Sequence, residues 1–364
     1  MENSTIEKRV VGRTDVYIGI EIIPQIVPRL RSVFEEGALV VVYENECESV
    51  ANALMQELKK DGYRVFATSV FDDKNVEIPD YVRYVFCVGG KEAQEHAKRL
   101  CKQIDTGWSM LLCPPDCDDV LCDICPNQVF IDENVLMKCQ NERIAAGYGI
   151  LFSQKLDEFE RFFEKTVLGK NVKTFCTQTS CESLCDLAFR LLEISSRKER
   201  KNSQEIMAEV MRALAISKGK KPRLSGEYEF LASATLASFY SSFLSSPSID
   251  CAPPACLGDV VDRLKELGIE ADRDKCVDFF DINGYFRISY ILGEYRLDLL
   301  EKLAGIDLHG MQRFWRRLYL DAGYWLKSEI SAAEVLECMR LAGAMSDGLI
   351  GFAFASGILD RIAA

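Results

Sequence analysis

Histidine is nearly missing from this chain: His96 and His309 are the only two in 364 residues. Each reads as a structural residue, His96 on the polar face of a helix and His309 in a capping or turn position before Gly310. A mechanism that needs two or three imidazole ligands is therefore excluded. Positive charge is also short, with 44 Lys and Arg against 56 Asp and Glu, a formal net charge of −12. That balance gives no global attraction to phosphate polymers or anionic surfaces, so neither nucleic acid nor a membrane is an expected partner. No apolar run reaches the roughly 20 residues that span a bilayer; the stretch 348–359 is too short. The opening residues Met1–Glu7 are polar and acidic, which predicts no secretory leader and a cytoplasmic location.

What is present is globular. Apolar residues make up 48% and charged residues 27%, enough core and surface for two ordinary domains at this length. Fifteen cysteines without a leader point to free thiols in a reducing compartment, or in part to metal ligands, and not to a disulfide framework.

The first 140 residues alternate strand and helix signals. Two short opening strands (10–19) precede a helix over 22–34, and 38–42 is a β-branched run suited to a strand buried on both faces. An amphipathic helix (49–60), strands at 63–67 and 81–88, a helix over 91–104, and strands at 108–112 and 128–131 follow. This pattern predicts an α/β, doubly wound, Rossmann-like domain over 1–140. Beyond residue 141 helical periodicity dominates, which predicts an all-α domain over 141–364. The basic stretches 197–201 and 218–223 and the segment 245–256 read as loops between its helices.

Three features carry candidate chemistry. Gly89 and Gly90 end a strand and open a helix, so the backbone N–H groups there suit a pyrophosphate, with Lys91 adding a cation. An ordinary strand-to-helix turn is the competing reading. Glu44, just after the first buried strand, is placed to accept from a ribose hydroxyl, although NAD and NADP stay undecided. Cys113, Cys117, Cys122 and Cys125 lie in one loop and offer four thiolates for a metal or cluster, against the simpler reading of cysteines in a cysteine-rich chain. Cys176, Cys181 and Cys185 offer less, since the last two share one helix face. The cations of 218–223 read first as a solvated loop and second as a phosphate or acidic-ligand contact.

The order of these pieces resembles the superfamily of 3-dehydroquinate synthase, glycerol and glycerol-1-phosphate dehydrogenases, and iron-containing alcohol dehydrogenases. The 17–20 segment and the helix after it look like that family's opening strand, glycine and helix. Gly89 and Gly90 match the first two glycines of its G-G-G-S-x-x-D-x-x-K signature, Lys98 its lysine, and Glu95 stands at its aspartate. Residues 113–116 occupy the place of its Pro-Thr-Thr segment. Residues 126–132 look like its P-x-x-V-x-x-D stretch, and 141–153 like its helix ending in A-x-G-x-G-D-x-x-S.

The resemblance implies a dehydroquinate synthase-like fold, NAD or NADP, and a divalent metal held by an aspartate and two histidines. The departures contradict the last of these. The aspartate position is Ile150, which cannot ligate a cation. Glu229 or Phe230 stands at the first histidine, and the second is His309 or is replaced by Asp347. Lys91 replaces the third glycine. The expected reading is a divergent member with a degenerate metal site, with a nucleotide or phosphate pocket kept between the domains and a small, phosphorylated ligand. One alternative is an active NAD(P)-linked oxidoreductase on a polyol or its phosphate, in which Lys98 or the 218–223 cations replace the Lewis acid. Another is a non-catalytic association or regulatory protein, a homo-oligomer by family expectation.

Overall fold

The computed structural model describes residues 6–70, 78–115, 119–173, 178–197, 201–246, 257–270, 282–318 and 330–359. Cys117 and Cys176 fall outside these ranges, as does most of the expected loop 245–256. The chain divides into two compact units, 1–147 with 180–199, and 148–179 with 200–364.

The first unit is built on a seven-stranded sheet of order β1-β2-β7-β6-β5-β3-β4. Its strands are β1 (Glu7–Val11), β2 (Thr14–Gly19), β3 (Ala38–Tyr43), β4 (Arg64–Ser69), β5 (Val82–Gly89), β6 (Trp108–Leu112) and β7 (Gln128–Asp132). Only the β1–β2 pair is antiparallel; every other pairing is parallel. The apolar runs at β3 and β5 are continuous because both faces of these strands are covered. Leu39, Val41, Phe86 and Val88 face a core with α1 (Ile23–Leu30) and α2 (Glu48–Lys60). Val40, Val42, Val85 and Cys87 face the opposite core with α3 (Lys91–Ile104). Each such side chain removed from water contributes roughly 1.5–3 kcal/mol before entropy is charged.

The sequence pattern predicts that this domain ends at residue 140 and that everything later belongs to the helical half. The compact units divide instead after Gly147, inside the long helix α5 (Asn141–Thr166). The short helix α4 (Glu133–Leu136), which lies between β7 and α5, carried no periodic signal. α6 (Leu184–Arg197) belongs to the first unit, because its apolar face of Cys185, Ala188, Phe189 and Leu192 completes the α3 side of the sheet core. Periodicity shows which face of a helix is buried and is silent about what it is buried against.

Among the described residues of the second unit every regular element is a helix. The unit contains α7 (Ser203–Ser217), α8 (Ser225–Ser245), α9 (Leu257–Glu266), α10 (Ile282–Ala304), α11 (Leu308–Leu318), α12 (Ala332–Met345) and α13 (Leu349–Ala355). Capping boxes at Asn202/Glu205 and Ser331/Glu334 fix the starts of α7 and α12. α5 and α8 cross in contact at two glycines: a Cβ on Gly149 would lie 2.0 Å from the Gly226 carbonyl oxygen. Among the described residues no helix is long and apolar enough to cross a membrane.

Candidate functional site

The sheet order makes one place special. The chain leaves β3 for β4 on one side and returns to β5 on the other, so the carboxyl ends of β3 and β5 form a topological switch point. Ligands of open α/β sheets bind in such crevices. Here the ends are Tyr43-Glu44 and Gly89-Gly90, the residues singled out in the sequence.

Gly90 is the N-cap of α3 and has no side chain with which to cap the first N–H groups of the helix. Gly89 has φ +156°, and a Cβ there would meet Ala93 Cβ at 2.8 Å and Glu44 Cγ at 3.1 Å. Glycine therefore gives close approach, as a pyrophosphate cradle requires. The group that makes the approach is Glu44. Its Oε1 accepts from Gly90 N at 3.0 Å and Ala93 N at 3.4 Å. Its Oε2 accepts from Arg143 Nη2 at 3.1 Å. Arg143, in the first turn of α5, also lies 3.5 Å from Glu46. A carboxylate on a helix N-terminus meets unpaired donors and the positive end of the dipole, as a phosphate would.

Glu44 is 2% exposed. Burial pushes its carboxyl above the ordinary value of 4.5; Arg143, then the Ala93 and Gly90 N–H groups, pull it back without cancelling that rise. The two lysines singled out after this glycine pair, Lys91 and Lys98, look elsewhere. Lys91 Nζ is 3.8 Å from Asp119 Oδ2. Lys98 donates to the carbonyls of Asp119 and Cys122 at 2.7 and 2.8 Å, and Gln94 Nε2 donates a second bond to Asp119 O at 2.9 Å. The signature lysine thus pins the loop that follows β6.

The cysteines of that loop separate. Cys113 follows β6 directly and is turned inward against Cys47. Cys122 Sγ lies 3.7 Å from the Ser195 carbonyl oxygen, and Cys125 Sγ donates to Leu121 O at 3.2 Å. Among the described residues no group of three or more His, Cys, Asp or Glu side chains is arranged to hold a metal ion. Cys185 lies in the buried face of α6.

The positions matching the family's metal ligands lie in the second unit. Ile150 is 1% exposed, an apolar side chain inside α5. Glu229 is buried on α8, with Oε2 3.4 Å from Ser153 Oγ and Oε1 3.2 Å from Ser225 Oγ. Phe230 joins Phe152, Tyr148 and Phe314 in an aromatic cluster with ring centroids 4.7–6.1 Å apart. His309 is exposed at the start of α11, where Asp307, not His309, caps Gly310 N at 2.8 Å. Asp347 pairs with Lys170 at 2.7 Å. His96 is half-buried beside Arg99, and burial and that cation push it below its ordinary value. A buried isoleucine, a carboxylate bonded by two hydroxyls and a packed aromatic cluster do not fit a divalent cation.

Two motifs have a structural explanation. Asp132, the aspartate of the 126–132 stretch, accepts from Glu21 N at 3.2 Å, Ile22 N at 2.8 Å and Asn134 N at 3.0 Å, so one carboxylate serves the starts of α1 and α4. Gly147 lets α5 approach the Pro115 carbonyl, and Gly149 lets it meet α8.

This architecture has counterparts among solved structures. An archaeal halo-thermophilic alcohol dehydrogenase from a Red Sea brine pool superposes over 100% of both chains, with a TM-score of 0.55 at 10% identity. The glycerol dehydrogenase of Schizosaccharomyces pombe covers 86% of this chain and 93% of its own, with a TM-score of 0.50 at 12% identity. No family model matches the sequence, and no curated protein matches it. The chain shares the fold of these alcohol and glycerol dehydrogenases, the fold that the resemblance in its motifs led us to expect.

Proposed function

We propose that this chain keeps the superfamily fold without its dinucleotide- and metal-dependent alcohol chemistry. The observation that carries this reading is the Glu44 carboxylate on the N-terminus of α3, neutralised by Arg143. A dinucleotide pyrophosphate bound there would have to displace a buried carboxylate and bring two further negative charges beside it. The residues at the family's metal positions point the same way, because Ile150 offers no lone pair. The protein then acts by binding, and any small, phosphorylated ligand is held somewhere other than the α3 N-terminus.

The competing reading, an active NAD(P)-linked oxidoreductase, needs a cation to stabilise a developing alkoxide. Three of the cations offered for that role have other partners: Lys98 holds two loop carbonyls, Lys218 pairs with Glu334, and Arg223 lies 3.8 Å from Glu227. The test is turnover of simple alcohols, glycerol and glycerol phosphates with NAD and NADP, with and without added divalent metal. No turnover is expected under any condition. Turnover that depends on added metal would overturn the proposal.

A further inference from the structure

Cys47 and Cys113 are both buried, 7% and 1% exposed, and come from segments far apart in the chain. Cys47 closes the short 3-10 turn Asn45–Cys47 and is the N-cap of α2. Cys113 follows the last residue of β6, and its N–H donates to Gly89 O at 3.4 Å. The Cys113 thiol donates to Cys47 Sγ at 3.5 Å, and Cys47 Sγ is 3.3 Å from Cys113 O. A disulfide needs the sulfurs at about 2.05 Å, so a closure of about 1.5 Å links them. The backbone on either side is held by sheet and helix hydrogen bonds, so the pair is preset and does not depend on folding of a loose segment.

We propose that Cys47 and Cys113 form a reversible disulfide, a redox-sensitive clamp beside the Glu44–α3 contact. With hydrogen peroxide as oxidant, Cys47 Sγ attacks one peroxide oxygen. The O–O bond breaks, and the departing hydroxide leaves as water with the thiol proton. Cys113 Sγ then attacks the sulfenic sulfur of Cys47; the S–S bond forms, the S–O bond breaks, and the hydroxyl leaves as a second water with the Cys113 proton. Two thiols lose two electrons, and one peroxide becomes two waters. Cys47, the more exposed of the two, meets the oxidant. The hydrogen bond to Cys47, with burial, pushes the Cys113 thiol up, so Cys113 enters the second step with its proton. The link sits where it matters for the first unit: Cys47 N donates to Glu44 O at 2.8 Å, so the bond fixes the turn that carries the capping carboxylate to the end of β6.

The experiment is a non-reducing peptide map by mass spectrometry, on full-length protein treated with hydrogen peroxide and, separately, with graded ratios of reduced and oxidised glutathione. The expected result is a linked Cys47–Cys113 peptide pair, reversed by dithiothreitol and absent from Cys47→Ser and Cys113→Ser. Oxidation should also raise the urea midpoint of the wild type and of neither variant. Recovery of both residues as free thiols under conditions that oxidise the exposed Cys125 would overturn the proposal. So would a map in which Cys113 is linked to Cys139, its partly buried neighbour in the same core. If either variant fails to fold, the wild-type map alone decides.

Discussion

Replacing Glu44 with alanine removes three hydrogen-bond contacts at once, from Gly90 N, Ala93 N and Arg143 Nη2. Loss of an N-terminal helix cap costs about 1 kcal/mol, and loss of a charge-assisted partner about 1.5–3 kcal/mol. Arg143 is not stranded, because its side chain keeps 14% exposure and retains Glu46 at 3.5 Å. The stripped site should therefore cost about 3 kcal/mol, roughly a hundredfold in the folding ratio. Glu44→Gln keeps one acceptor for the helix and should cost about half as much. Urea unfolding followed by tryptophan fluorescence reads this, since Trp108 is fully buried in β6. A second arm tests what the carboxylate stands in for. With Glu44 removed, inorganic pyrophosphate should raise the midpoint of the alanine variant, by about 1.4 kcal/mol at ten times its Kd, and leave the wild type unchanged. A variant within about 0.5 kcal/mol of wild type, a change expected of an ordinary surface site, would refute the reasoning. Equal stabilisation of both proteins by pyrophosphate would refute it as well.

Gly149→Ala should destabilise the protein by about 3 kcal/mol or more, because its Cβ would fall 2.0 Å from Gly226 O and force α5 and α8 apart; a urea midpoint equal to wild type would contradict that packing. Asp132→Ala should cost about 2–4 kcal/mol by freeing the N–H groups of Glu21, Ile22 and Asn134, with hydrogen exchange faster at those amides than elsewhere. Glu160, fully buried and bonded by Tyr240, has its carboxyl pushed up to about 8 by burial, against the hydrogen bonds of Ser203 and Tyr240. The folded state keeps a proton that the unfolded chain releases above 4.5. This stabilisation is complete below that value and is lost as the pH rises through about 8, so the midpoint should fall between about pH 5 and pH 9. Glu160→Gln should flatten that fall; an unchanged slope would remove Glu160 as its source.

The strand and helix order was legible because local signals sufficed: β-branched runs marked β3, amphipathic spacing marked α2 and α3, and the glycine pair marked the turn between β5 and α3. The sequence also brought out Glu44 and Gly89-Gly90, as separate candidate contacts to a ribose hydroxyl and a pyrophosphate. It read Glu44 as a ribose acceptor, whereas its carboxylate lies on the helix those glycines open. The contact joins residues 46 apart, and nothing local to Glu44 signals it. Arg143 went unnoticed for the same reason, as a lone cation in a first helical turn. Cys113 was grouped with its loop neighbours by spacing, while its contact is with Cys47, which no motif marked. The return of α6 to the first unit was equally hidden, since its amphipathic face fits either core. Departures from the pattern the chain resembles, by contrast, were plain from single letters: an isoleucine at 150 offers no lone pair wherever the helix lies.

The most direct test of the central claim is calorimetric titration of the wild-type protein with NADH and with NADPH, at concentrations that detect a micromolar Kd. No saturable heat is expected from either, because the Glu44 carboxylate already holds the α3 N-terminus. Micromolar binding of either cofactor would contradict that expectation. The carboxylate would then be a group that yields to a pyrophosphate, and the chain would return to the working dehydrogenases of its fold.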